Sequence, residues 1–141
     1  MTIIFLPVKD TSSKLAKLSN VAQKHLEKKE PLLFLVPDQP ALEFLDKLLW
    51  TTPSESFLPH PTPLLQISLE LQSPFSAIFN LKPAPLLEGS LLKGSAKTIY
   101  EFEDHTSAER YELAKHRYQT YRDKNYPIVV EYTDRDSKIG I

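Results

Sequence analysis

The sequence contains no cysteine and only three glycines, Gly89, Gly94 and Gly140, among its 141 residues. Without cysteine there can be no disulfide, thiolate metal site or thiol nucleophile, which fits a reducing compartment. A dinucleotide-binding Gly-x-Gly-x-x-Gly turn needs three clustered glycines, and this chain has none. Gly89 and Gly94 have the spacing of a phosphate-binding loop, but Ser95-Ala96 follows where Lys-Ser/Thr is required. We therefore expect turns at these glycines and no phosphate-cradling loop.

The chain also lacks a marked net charge, because 17 Lys and Arg residues stand against 18 Asp and Glu. That balance predicts no bulk attraction to nucleic acid or to anionic membranes. No apolar run approaches the roughly 20 residues that span a bilayer. The short apolar start of the chain has neither the basic region nor the cleavage site of a signal peptide. We expect a cytoplasmic protein that does not bind membranes.

Hydrophobic periodicity predicts alternating strands and helices in a single domain. Helices are predicted after caps at Thr11–Ser13, at Asp38 and at Thr106 or Ser107. This order implies right-handed crossovers and a three-layer α/β fold with a mostly parallel central sheet over residues 1–132. The polar residues 133–141 predict a flexible tail. The predicted strands are 3–8, 32–36, 65–71, 77–81, 97–102 and 126–132. Two loops are predicted, the proline-rich 51–63 and the stretch 82–95, the latter with one helical turn at 86–92.

Arginine and tyrosine are concentrated near the end of the chain, in the predicted helix 107–125. Arg110, Arg117 and Arg122 lie there with Lys115 and three tyrosines, including Tyr118. One interpretation is a solvated amphipathic helix whose tyrosines pack on the sheet. The other is a basic, aromatic-lined site for a carboxylate-rich peptide or for phosphates. The few cations, mixed with acids, favour an acidic peptide over nucleic acid.

A second cluster follows the predicted second helix and contains the only tryptophan, Trp50, with Phe57, Pro59 and His60. Trp50 and Phe57 either close the core beneath a proline-stiffened loop or form an exposed aromatic platform of the kind found at interface hot spots. The four histidines show no metal-ligand spacing, and no nucleophile–base pair or paired carboxylates are evident. We therefore predict no catalytic site, no metal and no cofactor.

Three motifs, in this order, resemble the chi subunit family of bacterial DNA polymerase III. They are Leu-Asp-x-x-Leu-Trp at 45–50, Ser-Phe-Leu-Pro-His at 56–60 and Arg-Tyr-x-x-Tyr-Arg at 117–122. The resemblance covers roughly residues 2–126 and implies a Rossmann-like fold without nucleotide binding. It also implies a non-catalytic adaptor of the clamp-loader assembly, a monomer or heterodimer associated with DNA only indirectly.

The resemblance further implies two binding faces. One would bind the acidic C-terminal tail of single-stranded DNA-binding protein through Lys115, Tyr118 and Arg122, with Arg110 as a weaker candidate. The other would bind the psi subunit or a repair helicase, through Trp50, Phe57, Pro59 and His60. Gln119 stands where some relatives carry another cation.

Two other functions compete with the adaptor. A small nucleotide- or phosphate-using enzyme on a Rossmann-like fold would need an anion-binding helix N-terminus without glycine. A direct DNA-binding protein would show a steep dependence of affinity on salt, which the few interspersed cations do not predict.

Overall fold

The computed structural model describes residues 2–51, 65–70, 75–86 and 97–131. Within these ranges the chain alternates strands with helices as the hydrophobic pattern predicts. The strands are β1 (Thr2–Val8), β2 (Leu32–Leu35), β3 (Leu65–Ser68), β4 (Ala77–Asn80), β5 (Thr98–Asp104) and β6 (Ile128–Val130), and the helices are α1 (Thr11–Lys28), α2 (Gln39–Thr51) and α3 (Ala108–Asp123).

These strands form one sheet in the order β3-β2-β4-β5-β1-β6, and every pairing in it is parallel. The predicted Rossmann-like α/β fold is confirmed, with a fully parallel rather than mostly parallel sheet. β1 lies between β5 and β6. Its pairing with β5, from Thr2–Thr98 to Val8–Asp104, is the longest in the sheet and lies in the half of the sheet that carries α3.

Two apolar clusters cover the two faces of the sheet. On one face, α1 and α2 contribute Leu18, Ala22 and Leu45 to a cluster with Phe34 and Phe79. On the other face, Tyr121 of α3 packs in a cluster with buried residues that include Phe5 and Ile99. Strands covered on both faces have little need of polar positions, which explains the continuous apolar sequence of β2.

The helix starts use side-chain caps, two of them at predicted positions. Asp38 Oδ1 accepts the Ala41 N–H at 2.9 Å, and Ser107 Oγ accepts the Arg110 N–H at 3.1 Å. The prediction of Thr11–Ser13 as the cap of α1 is wrong, because Asp10 caps it by accepting the Ser13 N–H at 2.8 Å. Ser13 contributes from inside the helix, since its hydroxyl oxygen accepts the Asp10 N–H at 3.2 Å in a capping box.

β3 ends earlier than its sequence alternation predicts. It stops at Ser68, whose hydroxyl donates to the Glu70 carbonyl at 2.7 Å and accepts the Glu70 N–H at 3.1 Å. This local turn competes with further strand pairing. The predicted loop at 52–63, most of the helical turn predicted at 86–92 and the tail 133–141 lie outside the described residues. None of the described helices is long and apolar enough to cross a membrane.

A buried histidine joins α1 to the centre of the sheet. His25 is 5% exposed, and its Nε2 lies 2.9 Å from the Tyr100 hydroxyl, while its Nδ1 lies 3.1 Å from the Glu30 carbonyl. Burial lowers the pKa of His25 below its ordinary value, because the charged imidazolium would lose its hydration. Burial likewise raises the pKa of Tyr100 to about 12.

The lowered pKa of His25 makes the fold sensitive to acid. Protonation favours the unfolded chain, so the contribution of His25 to the free energy of unfolding should fall as pH drops below 6.5, the ordinary pKa of histidine, by up to about 1.4 kcal/mol per pH unit. Urea denaturation between pH 5 and pH 8 measures this effect. His25→Gln should flatten the slope, whereas the same change at the exposed His116 should not. Equal slopes in the wild type and in His25→Gln would contradict this account.

Candidate functional site

The position of α3 is set by a buried carboxylate on β5. Side chains alternate along a strand, so Ile99, Glu101 and Glu103 share the face that α3 covers. Glu101 is 0% exposed, and its Oε1 accepts a hydrogen bond from Arg117 Nε of α3 at 2.9 Å. The tyrosine at position 121, one turn further along α3, donates its hydroxyl to Glu101 Oε2 at 2.5 Å.

The same two α3 residues also hold the segment that follows β4. Arg117 donates Nη1 to the Pro83 carbonyl at 3.1 Å and Nη2 to the Phe102 carbonyl at 3.1 Å. The Tyr121 hydroxyl accepts the Leu86 N–H at 2.8 Å. Each nitrogen of the guanidinium therefore has a partner, as a buried Arg requires.

Burial strongly perturbs the ionisation of Glu101. Desolvation raises its pKa to about 7, against the opposing effects of the Arg117 charge and of hydrogen bonds from Tyr121, Asn80 and Arg117. Because the folded state favours the protonated carboxyl, the contribution of Glu101 to the free energy of unfolding falls as pH rises from 4.5 to about 7. The Tyr121 pKa is raised as well, mainly by burial.

A groove of about 340 Å³ runs beside α3, on the side of the sheet where β1 pairs with β6. Its floor and walls combine apolar, aromatic and charged side chains. The lining residues are Phe5, Glu103, Tyr111, Ala114, Lys115, Tyr118, Gln119 and Val130.

Aromatic rings form the walls of this groove. The Tyr118 ring meets the Phe5 ring edge to face, with centroids 5.4 Å apart. The Tyr111 ring stacks on the His105 ring at 4.5 Å, and Lys115 Nζ lies 4.9 Å from the Tyr111 centroid. A cation therefore lies next to two aromatic side chains, an arrangement able to take a ligand with both carboxylates and apolar groups.

The charges around the groove are already paired with one another. Lys115 Nζ lies 2.7 Å from Glu112 Oε1, and this hydrogen bond raises the pKa of Lys115. Glu103 Oε2 lies 2.8 Å from His105 Nε2. The lining itself thus carries one lysine and one carboxylate, so the groove is not strongly basic.

The structure brings together two of the four residues predicted for the peptide-binding site. Lys115 and Tyr118 line the α3 groove. Arg122 is exposed on the same helix, but it does not line the groove. Arg110 lines a separate cleft of about 590 Å³, between the starts of α1, α2 and α3, with Phe44 and other residues. The resemblance gave Arg110 as a weaker candidate for the same site as Lys115, but the two side chains line different cavities.

Most of the second predicted face, formed by Trp50, Phe57, Pro59 and His60, lies outside the residues that the structure describes. Trp50 lies at the end of α2, where only its backbone is described. The other three residues lie outside the described residues.

Several residues of the groove and of its support were not singled out from the sequence. Phe5, Glu103 and Val130 belong to strands, and nothing in their local pattern indicated a shared cavity with α3. Arg117 was grouped with the exposed arginines, but it is 6% exposed and paired with Glu101. The signal available was Glu101 itself, an acid between Tyr100 and Phe102 in the strand, which needs a partner once it is buried.

The starts of the three helices, at the carboxyl edge of the sheet, are occupied by the chain's own side chains. Asp10, Asp38 and Ser107 each accept a hydrogen bond from the first turn of a helix. Across the described ranges, no group of three or more His, Cys, Asp or Glu residues is placed to hold a metal ion.

Comparison with protein families decides the assignment. The family model of the DNA polymerase III chi subunit, HolC, matches residues 1–129. The chain belongs to the DNA polymerase III chi subunit family. No curated protein gives a significant match to the sequence. A chi subunit is a non-catalytic accessory subunit of DNA polymerase III, so the protein has partners within that complex. Family membership does not support the alternative of a small nucleotide- or phosphate-using enzyme.

The buried pair in this chi-family protein leads to a test of α3 positioning. Arg117→Met leaves Glu101 buried without its charge partner and should lower the free energy of unfolding by about 3–5 kcal/mol at pH 8. The loss should be smaller at pH 5, where Glu101 can take up a proton. The exposed Arg122 provides a control, and Arg122→Met should change the free energy by less than about 0.5 kcal/mol. Equal effects of the two substitutions in urea denaturation would refute the positioning role.

Proposed function

We propose that this protein is a replisome adaptor whose α3 groove binds the acidic C-terminal tail of single-stranded DNA-binding protein. The observation that carries the proposal is that Lys115 and Tyr118 share one groove with Phe5 and Val130. Family membership supports a role within the polymerase complex, and the groove offers chemistry suited to such a tail.

An acidic tail with apolar terminal residues needs two kinds of contact. Its carboxylates need a cation, and the side chain of Lys115 is 51% exposed and therefore reachable. Its apolar side chains need an aromatic wall, which Tyr118 supplies with the buried Phe5 ring packed behind it. Arg122, two turns along α3 from Lys115, is exposed and extends the cationic side of the helix.

The ion pair between Lys115 and Glu112 does not prevent this role. Both side chains are well exposed, at 51% and 70%, so the pair is screened and weak. A peptide carboxylate can replace Glu112 at Lys115 Nζ at little cost. The complex should therefore be moderate in affinity and should weaken as salt is added.

We also propose a second face that binds the psi subunit or a repair helicase, through Trp50, Phe57, Pro59 and His60. Four prolines, at positions 53, 59, 61 and 63, lie among or next to these residues in the sequence, and a proline-rich segment loses little conformational entropy on binding, which suits an interface hot spot. The adaptor would then join the clamp-loader complex or a helicase to single-stranded DNA-binding protein, and would reach DNA only through that partner.

Substitutions in the groove test tail binding directly. Lys115→Ala and Tyr118→Ala should each weaken binding of a fluorescein-labelled tail peptide by at least about fivefold, since each removes one of the two kinds of contact. Fluorescence anisotropy at low salt measures the affinity, and the effect of Lys115→Ala should shrink at high salt. Arg110→Ala, which removes a cation from the other cleft, is the matched control. An equal loss in Arg110→Ala would exclude the groove as the site.

The two-face arrangement has a separate test. Trp50→Ala should leave tail binding unchanged and should weaken capture of the psi subunit or helicase by about 2–4 kcal/mol in calorimetric titration. Lys115→Ala should show the opposite pattern. Loss of both partners in either variant would contradict separate faces.

A further inference from the structure

The α3 groove contains a carboxylate that an acid-binding site does not need. Glu103 lines the groove together with Lys115, and 27% of its side chain is exposed to solvent. An anionic ligand in the groove meets this negative charge as well as the positive charge of Lys115. The proposed function gives Glu103 no role.

We propose that Glu103 is a specificity-determining residue of the groove, which weakens the binding of anionic peptides and confines their carboxylates to the Lys115 side. This inference rests on the proposed function, because it concerns the same groove. Three features of the structure support it.

The first feature is the direction of Glu103. Its neighbour Asp104 points to the opposite face of the sheet, where its Oδ2 accepts a hydrogen bond from Lys14 Nζ at 2.8 Å. Glu103 has no such lysine or arginine among the described residues, and its carboxylate contacts the His105 ring. Its charge is therefore compensated far less than that of Asp104.

The second feature is the continuous row of contacts that joins Glu103 to Lys115. His105 contacts Glu103 through Nε2 and stacks on Tyr111, and the Tyr111 ring lies beneath Lys115 Nζ. The acid and the cation thus occupy the two ends of one wall. A peptide carboxylate placed near Tyr111 would be repelled by Glu103, whereas one placed toward Gln119 would not.

The third feature is the small charge of the groove as a whole. Glu112 pairs with Lys115, the lining lysine, Glu103 lines the same groove, and Gln119 adds no charge. Removing one carboxylate should therefore strongly change how well the groove binds anionic peptides relative to uncharged ones. His105 acts as a positioning residue, because its ring holds the Glu103 carboxylate against the wall.

The experiment compares two labelled peptides on six forms of the full chain. The probes are the last nine residues of single-stranded DNA-binding protein from the same organism, and the same peptide with every Asp replaced by Asn. The forms are the wild type, Glu103→Gln, His105→Ala, the double variant of these two, Lys115→Ala and Glu109→Gln. Glu109→Gln makes the same charge change at an exposed position in the first turn of α3, outside the groove.

Glu103→Gln should tighten binding of the acidic peptide by about three- to fivefold at low salt and leave the Asn peptide unchanged. The gain should vanish near 1 M salt, where screening acts within about 3 Å. Glu109→Gln should have little effect. His105→Ala should weaken acidic-peptide binding in the wild type but not in the Glu103→Gln background, which separates an electrostatic role from a structural one.

The outcomes distinguish the inference from the proposed function. If the wild type binds the acidic peptide, Lys115→Ala abolishes binding and Glu103→Gln has no effect, the role of Glu103 is refuted and the function stands. If neither the wild type nor Glu103→Gln binds the acidic peptide, both are refuted. Binding that appears only in Glu103→Gln supports the restrictive role of Glu103.

Discussion

The hydrogen-bonded ion pair between Glu101 and Arg117 determines where α3 lies, and with it the shape of the groove. A carboxylate with no exposure on a central strand must find donors inside the protein. Arg117 and Tyr121 supply them from α3, and Asn80 supplies another from the neighbouring strand at 2.8 Å. Since Arg117 and Tyr121 face inward, Lys115 and Tyr118 are turned toward the exposed side of the same helix, beside β1. One side of α3 therefore contributes to the interior network, and another side lines the surface groove.

This arrangement makes a fold typical of nucleotide-binding proteins compatible with the adaptor role that we propose. The helix starts at the carboxyl edge of the sheet, where such folds bind phosphates, are capped by Asp10, Asp38 and Ser107. The groove that we propose for the peptide lies instead along the flank of α3. Membership of the chi subunit family, whose model matches residues 1–129, agrees with an accessory role in the polymerase complex.

Much of the fold could be predicted from the sequence, because apolar periodicity and caps are local signals. The strand at 32–35 and the caps at Asp38 and Ser107 are examples. The site was harder to predict, since it depends on which strand faces which helix. The resemblance grouped Arg110 with Lys115 as a weaker candidate, although Arg110 lines another cleft. Glu103 was not identified either, because only the register of β5 against α3 brings it to the groove.

The most direct test of the account is a nuclear magnetic resonance titration of the ¹⁵N-labelled protein with the unlabelled tail peptide. The account predicts that the largest amide shift changes occur around the groove, at Lys115, Tyr118 and Val130, and that they saturate together with a single affinity. Residues of the other cleft, such as Phe44 and Lys82, should remain unchanged. Shift changes centred on that cleft, with the α3 groove unaffected, would contradict the central claim that the groove beside α3 is the peptide-binding site.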